Sequence, residues 1–275
     1  MIQQHLFCLS RSAFLLFLFL LFSGFAGAAE SRLVQGGFFI GQAPPGSRPF
    51  YGDRPLALTE DGHFLLGFGR DAELQQQISF VNEQGEERIL QLTLQPRKFK
   101  IERINGISRK MMEPSAEALK RIGEEAQLAA DSRQILSLVE DFRENFIWPL
   151  KGRISGVYGS QRILNGEPRR PHFGVDIAAP AGTPVVAPAD GIVRLAHPGM
   201  YFSGKTLIID HGFGLSSSYL HLQDILVREG ERVRQGEEIA LVGSSGRVTG
   251  PHLDWRLNWF DTRLDPTLWV PPISN

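Results

Sequence analysis

The sequence predicts a mainly β chain in three parts: a small N-terminal β-sandwich over residues 29–110, a helical linker over 111–146 and an antiparallel β-sheet domain over 147–275. Three observations predict it. Short apolar runs alternate with Gly, Pro and Asp turns in the first third. Apolar residues then recur at helical spacing between Pro114 and Asn145. From Trp148 onward, strands with glycine-rich connections resume.

Ahead of the sandwich, residues 1–28 read as a secretory signal peptide. Arg11 supplies a weakly basic start, Ala13–Phe22 an apolar run and Ala26-Gly-Ala28 a small-residue cleavage site. The run is too short for a membrane span, which needs roughly 20 residues; an uncleaved anchor is the alternative. The expected location is the periplasm or cell envelope, with no transmembrane span in the mature form. Cys8 is the only cysteine, so cleavage would exclude disulfides and thiol catalysis. With 29 basic and 30 acidic residues, nothing suggests a nucleic-acid footprint or a polybasic membrane patch.

In the sandwich, Gly37–Ile40, Phe64–Leu66, Ile78–Val81 and Ile89–Leu94 are the strand candidates, with turns such as Ala43-Pro-Pro-Gly46 and Glu60-Asp-Gly62 between them. The unit resembles immunoglobulin-like modules in architecture alone. His63 reads as an exposed turn residue. In the linker, Pro114-Ser-Ala-Glu117 is a helix start, and Ala118, Leu119, Ile122, Ala126 and Leu128 keep helical spacing. After Asp131-Ser-Arg133, the pattern resumes from Ile135 to Phe142, so one long or two shorter helices are expected. A helical arm over a substrate groove is a further reading. In the last domain, Thr183–Ala187, Gly191–Ala196, Lys205–Asp210, Leu215–Leu222 and Glu238–Val242 read as strands. A carrier domain of the lipoyl type is disfavoured, because Lys205, the only lysine after Lys151, lacks an exposed hairpin tip.

Metal-competent residues gather in this last domain. His172-Phe-Gly-Val-Asp176, Tyr219-Leu-His221 and Gly250-Pro-His252-Leu-Asp254 carry them. Residues two or four apart on extended backbone share a face, so His172 can meet Asp176, and His252 can meet Asp254. Gly174 is expected to let the backbone turn tightly between the first two. Imidazole and carboxylate are ligands zinc accepts, and hydrolysis needs one open position.

From about Ile147 to the C-terminus the chain resembles the M23 (lysostaphin/LytM-type) zinc metallopeptidases, which cut peptide bridges in bacterial peptidoglycan. The motifs above carry the resemblance, with Trp148-Pro-Leu-Lys-Gly152, Ser155-Gly-Val-Tyr-Gly159, Pro180–Gly191, Val233-Arg-Gln-Gly236 and Val242-Gly-Ser-Ser-Gly246. It implies a LytM-type peptidase domain, a Zn²⁺ cofactor and peptidoglycan stem peptides as substrate, with other envelope proteins as possible partners. His172 and Asp176 match two ligands, and His221 and His252 match the two non-ligand histidines that handle protons and charge. The family closes its site with His-x-His, but Asp254 stands where its last ligand histidine would be. Asp254 is therefore expected as third ligand or as a group orienting His252, in a shell whose extra negative charge slows or alkaline-shifts hydrolysis and admits other borderline ions. The resemblance also marks Arg162 and Asn165 as substrate-contact or pro-region candidates, and Tyr158 is kept beside them as an aromatic that could line a groove, although burial is the commoner use of such a residue. His211 reads as structural and His197 as loop. The competing reading is a catalytically inactive relative that activates other wall hydrolases.

Overall fold

A computed structural model describes residues 31–105 and 115–273. The proposed signal segment lies outside the described residues. The first third holds β1 (Phe38–Gln42), β2 (Ser47–Tyr51), β3 (Arg54–Pro55), β4 (His63–Gly67), β5 (Gln75–Asn82), β6 (Glu87–Thr93) and β7 (Ile101–Ile104). Helix α1 (Ala116–Gln134) follows. Next come β8 (Arg153–Gly156), β9 (Gln161–Leu164), β10 (Glu167–Pro168), β11 (Val175–Ala178) and β12 (Pro184–Val186). The remaining strands are β13 (Gly191–Met200), β14 (Gly204–Gly212), β15 (Leu215–Ile225), β16 (Arg232–Val233), β17 (Glu238–Val242), β18 (His252–Trp259) and β19 (Thr262–Leu264). The mainly β architecture expected from the sequence is the one observed.

The first strands make a β1–β4 ladder and a four-stranded sheet ordered β3-β2-β5-β6. Period-2 alternation builds it: Gln76, Ile78 and Phe80 of β5 point inward, and their neighbours do not. This unit is not free-standing. Phe38 stacks on Trp269 with ring centroids 3.8 Å apart, and Arg97 pairs with the buried Asp265 at 2.7 Å. A Cβ on Gly67 would sit 2.6 Å from the Trp259 Cβ, so only glycine permits that approach. One apolar core thus runs from Phe38 and Phe64 through Phe146 to Trp255 and Trp259. β7 extends the same continuity by pairing in parallel with β9.

Ser115 caps α1, its hydroxyl accepting the Ala118 N–H at 3.2 Å. The apolar spacing places the helix but not its buried face, since Leu119 and Leu128 are exposed and Ser132 and Arg133 are buried. Beyond Gln134 the expected helical continuation gives way to extended chain, with a single short turn at Asp141–Arg143. Tertiary hydrogen bonds explain this. The Ser137 carbonyl accepts the Phe213 N–H at 2.9 Å, and its hydroxyl donates to buried Asp210 at 2.7 Å.

The large sheet is ordered β16-β13-β14-β15-β18-β11-β8, with β12, β17 and β19 attached. Its middle is stabilised by buried polar contacts as well as apolar ones. His211, fully buried, meets the Asp190 carbonyl through Nδ1 at 2.6 Å and the Ser217 hydroxyl through Nε2 at 2.8 Å. His63, expected in an exposed turn, instead opens β4 partly buried, with Nδ1 3.1 Å from Asp61. His197 lies within β13, not in a loop.

Burial holds His211 below its usual 6.5, with the Asp190 carbonyl and nearby aspartates opposing. Below about pH 6.5 the unfolded chain takes up a proton that the folded chain resists, so stability falls as pH drops through that window. Urea unfolding at about pH 7.5 and about pH 5.5 should show a smaller acid loss in His211→Gln than in the parent. Equal losses in the two chains would remove His211 as a cause.

Candidate metal centre

The site forms where β11, β18 and β15 run side by side. Asp176 and Asp254 stand directly opposite each other in the β11–β18 ladder, and Ala178 faces His252. Like charges at directly opposed positions destabilise a sheet unless a cation intervenes. Two cationic groups do so here. His172, on the loop before β11, brings Nε2 to 3.0 Å from Asp176 Oδ1 and 3.6 Å from Asp254 Oδ2. Arg256, two residues along β18, grips Asp254 through Nε (2.9 and 3.1 Å) and Nη2 (2.5 Å).

Sequence reasoning missed Arg256. Its signal was the alternation of β18, where Leu253, Trp255 and Leu257 enter the core and His252, Asp254 and Arg256 share the opposite face.

Two glycines let the backbone close on the carboxylates. A Cβ on Gly156 would lie 2.1 Å from Asp176 Oδ2, and one on Gly174 would lie 2.4 Å from Asp254 Oδ1. Gly174 therefore serves close approach to Asp254 and Arg256. It is absent from the left-handed positions, which corrects the expectation of a tight turn there.

Each of the three histidines near the site turns Nδ1 to a backbone carbonyl: His172 to Val157 at 3.3 Å, His221 to Ser245 at 3.0 Å and His252 to Gly250 at 2.9 Å. A carbonyl only accepts, so these contacts call for a proton on Nδ1 and direct the free Nε2 lone pair away from it. His172 Nε2 is buried and, among the described residues, makes no aligned hydrogen bond despite its proximity to Asp176. Ligand atoms of His172, Asp176 and Asp254 lie within 4.8 Å of one another. An orphaned imidazole nitrogen facing two opposed carboxylates fits a divalent cation such as zinc. Without one, burial opposes charge on His172, but Asp176 and Asp254 outweigh it and raise its pKa to about 10.

His221 reaches the site by strain. Its φ is +64°, in the left-handed region that histidine seldom adopts, where the β15 ladder is irregular. Its ring lies 5.0 Å from that of His252. Burial lowers its pKa, with the Ser245 carbonyl opposing. Ser245 is itself fixed, its hydroxyl accepting the Lys205 N–H at 2.9 Å and donating to the Leu222 carbonyl at 2.8 Å.

The substrate-contact candidates lie elsewhere or are occupied. Tyr158 is buried, donates its hydroxyl to the Arg263 carbonyl at 2.8 Å and packs beside Phe99 and Phe173. That corrects its expected place in a groove: it is a packing residue. Asn165 (φ +52°) and Gly166 (φ +84°) make the tight turn between β9 and β10, which accounts for the Asn-Gly pair. Arg162 is exposed on β9, 3.6 Å from Glu102. A second acidic group, Asp141, Glu144 and Asp190, is drawn together by Arg232, which reaches Asp141 at 2.7 Å and Asp190 at 3.5 Å.

A loop histidine and two carboxylates on adjoining antiparallel strands, flanked by two further imidazoles, make a group that could hold a metal ion. Residues 170–266 match the model of peptidase family M23. Among its relatives, peptidoglycan DD-endopeptidase ShyA of Vibrio cholerae is 43% identical over 110 residues, covering 39% of this chain and 25% of that protein. ShyB of the same organism is 45% identical over 89 residues, covering 32% and 20%. The matched stretch is thus about a quarter or less of those relatives' length. A solved structure assigned to peptidase M23 from Pseudomonas aeruginosa has a TM-score of 0.69 at 27% identity, covering 88% of this chain and 96% of that one.

Proposed function

We propose that this protein is a secreted, zinc-dependent endopeptidase of the cell envelope that hydrolyses peptide cross-links of peptidoglycan. The observation that carries the reading is the opposed pair Asp176 and Asp254 with His172 Nε2 between them, beside His221 and His252. The DD-endopeptidase relatives supply the substrate class. A divalent cation held by His172, Asp176 and Asp254 supplies Lewis acidity toward a peptide carbonyl and an attacking water. The imidazoles of His221 and His252 hold and pass protons, one accepting from the nucleophile and one donating to the leaving amine. Their Nδ1 contacts with the Ser245 and Gly250 carbonyls leave Nε2 as the nitrogen available for that work.

Arg256 changes the electrostatics expected of this shell. One imidazole and two carboxylates sum to minus two, and the paired guanidinium returns the sum to minus one, the value of a two-histidine, one-aspartate shell. The alkaline shift expected from Asp254 alone is thereby offset. Asp254→His would strand Arg256 beside the site, so it should lower metal content unless Arg256 is replaced too.

Purified protein incubated with cross-linked sacculi should release soluble peptides, lose that activity with chelator and regain it with zinc. No products with any divalent ion would favour the activator reading, for which the grip of Arg256 on Asp254 is the specific observation. Asp254→Ala should reduce bound zinc; full stoichiometry would remove Asp254 from the ligands.

A further inference from the structure

The sheet face that carries Asp254 continues across β15, β18 and β19 as a row of polar side chains. Ser218 stands opposite Arg256 and Ser216 opposite Asn258 across β15–β18, while Arg263 stands opposite Asn258 across β18–β19. Directly opposed residues of an antiparallel ladder share a face, so these side chains line one surface. Arg263 donates to the Asn258 side-chain oxygen at 3.1 Å on that surface. Helix α1 roofs it. Ile208, opposite Ser218, packs with Leu195, Met200 and Ala129 of the helix. Arg133 lies four residues beyond Ala129 and hence on the same helix face. Gln134 Nε2 anchors the helix end to Asp261 at 2.6 Å.

Three donor-capable groups of this face and of the adjoining helix are buried and lack hydrogen-bond partners among the described residues: Arg133 Nε, Ser216 Oγ and Ser218 Oγ. Their residues are 8%, 3% and 4% exposed. Such groups are costly to leave unmade. Charge points the same way. Arg256 is answered by Asp254, and exposed Asp261 attracts Arg133 and Arg263, but no further carboxylate pairs with those two among the described residues. Burial, then the charges of Arg133, Arg256 and Arg170, push Arg263 down to about 9, against Asp261. Guanidiniums crowded this way need an anion.

We propose that Arg133, Arg256 and Arg263, with the Ser216 and Ser218 hydroxyls, form an oxyanion site between α1 and the sheet that takes a carboxylate. Donor chemistry supports it: guanidinium forks and hydroxyls match a planar two-oxygen acceptor. Half-buried Arg256 joins this cluster to Asp254, which its Nε meets at 2.9 Å. A carboxylate held here stands on the Asp254 side of the metal centre. Its belonging to the peptide being cut rests on the function proposed above; carboxylate binding does not.

Calorimetric titration of the full chain with sodium acetate, N-acetylalanine and N-acetylalaninamide tests the site. Both carboxylates should bind at one per chain and the neutral amide should not. N-acetylalanine binding more tightly than acetate marks a peptide end as the ligand, and equal affinities mark a free small carboxylate. Arg133→Gln, and separately the Ser216→Ala/Ser218→Ala double variant, should weaken binding by about tenfold or more with zinc content unchanged. No carboxylate binding, or binding unaltered in the folded variants, overturns the proposal. Because the readout is binding, it stands or falls apart from sacculus hydrolysis.

Discussion

His221→Asn is expected to lower cross-link hydrolysis by about 10²–10⁴-fold, the usual worth of a positioned acid or base, while metal content and fold persist. Asparagine is the informative replacement because it tolerates the left-handed conformation that His221 adopts at φ +64°. Its amide can still donate to the Ser245 carbonyl, which His221 Nδ1 meets at 3.0 Å. What disappears is the second ring nitrogen, facing the cluster beside His252. Alanine would mix this loss with backbone strain of about 1–3 kcal/mol. Steady-state rates on sacculi, with zinc content and unfolding midpoint measured on the same sample, separate these effects. A near-normal rate in a folded, zinc-loaded His221→Asn protein would take His221 out of the chemistry.

Arg256→Met should destabilise the metal-free chain by about 3–5 kcal/mol, as expected when one member of a buried ion pair is removed. Asp254 is 3% exposed and accepts all three contacts from Arg256, so methionine leaves its charge facing Asp176 with His172 as the remaining cation. Removing both charges, in Asp254→Leu/Arg256→Met, should cost less than the arginine change alone, because nothing buried is then left unpaired. Zinc should restore part of the lost stability in Arg256→Met, since the cation answers the same carboxylates. Denaturant unfolding of the parent, Asp254→Leu, Arg256→Met and the double variant, with and without zinc, reads this cycle. Additive single and double effects would mean the pair is not coupled.

Much of the fold was legible because its rules are local. Alternation marked β5, a continuous apolar run marked β14, turn residues marked the hairpins, and the Ser115 cap marked the start of α1. What failed was decided by distant contacts. Ile135–Val139 keep helical spacing but run extended, since Ser137 is held by Phe213 and Asp210. Leu119 and Leu128 suggested the buried stripe of α1, whereas Arg133 and Ser132 occupy it, a choice set by the sheet beneath.

The site divides similarly. His172, Asp176, His252 and Asp254 could be grouped by spacing and by the family they resemble, and the structure brings them together. Sequence offered no view of Asp176 and Asp254 as opposed ladder partners, because register is a property of two strands. Nor did it reveal the counter-charge: Arg256 looked like one more arginine until β18 placed it on the Asp254 face. Tyr158 was misread for a related reason, as an aromatic near the motif whose burial depends on Phe99 and Arg263 from other parts of the chain.

Anomalous diffraction at the zinc edge, from zinc-soaked crystals of the full chain, locates the ion. One strong peak is expected about 2.0–2.2 Å from His172 Nε2 and from an oxygen of each of Asp176 and Asp254. Density at that point without an anomalous signal, or a zinc ion bound with Asp254 still turned wholly to Arg256, would contradict this coordination.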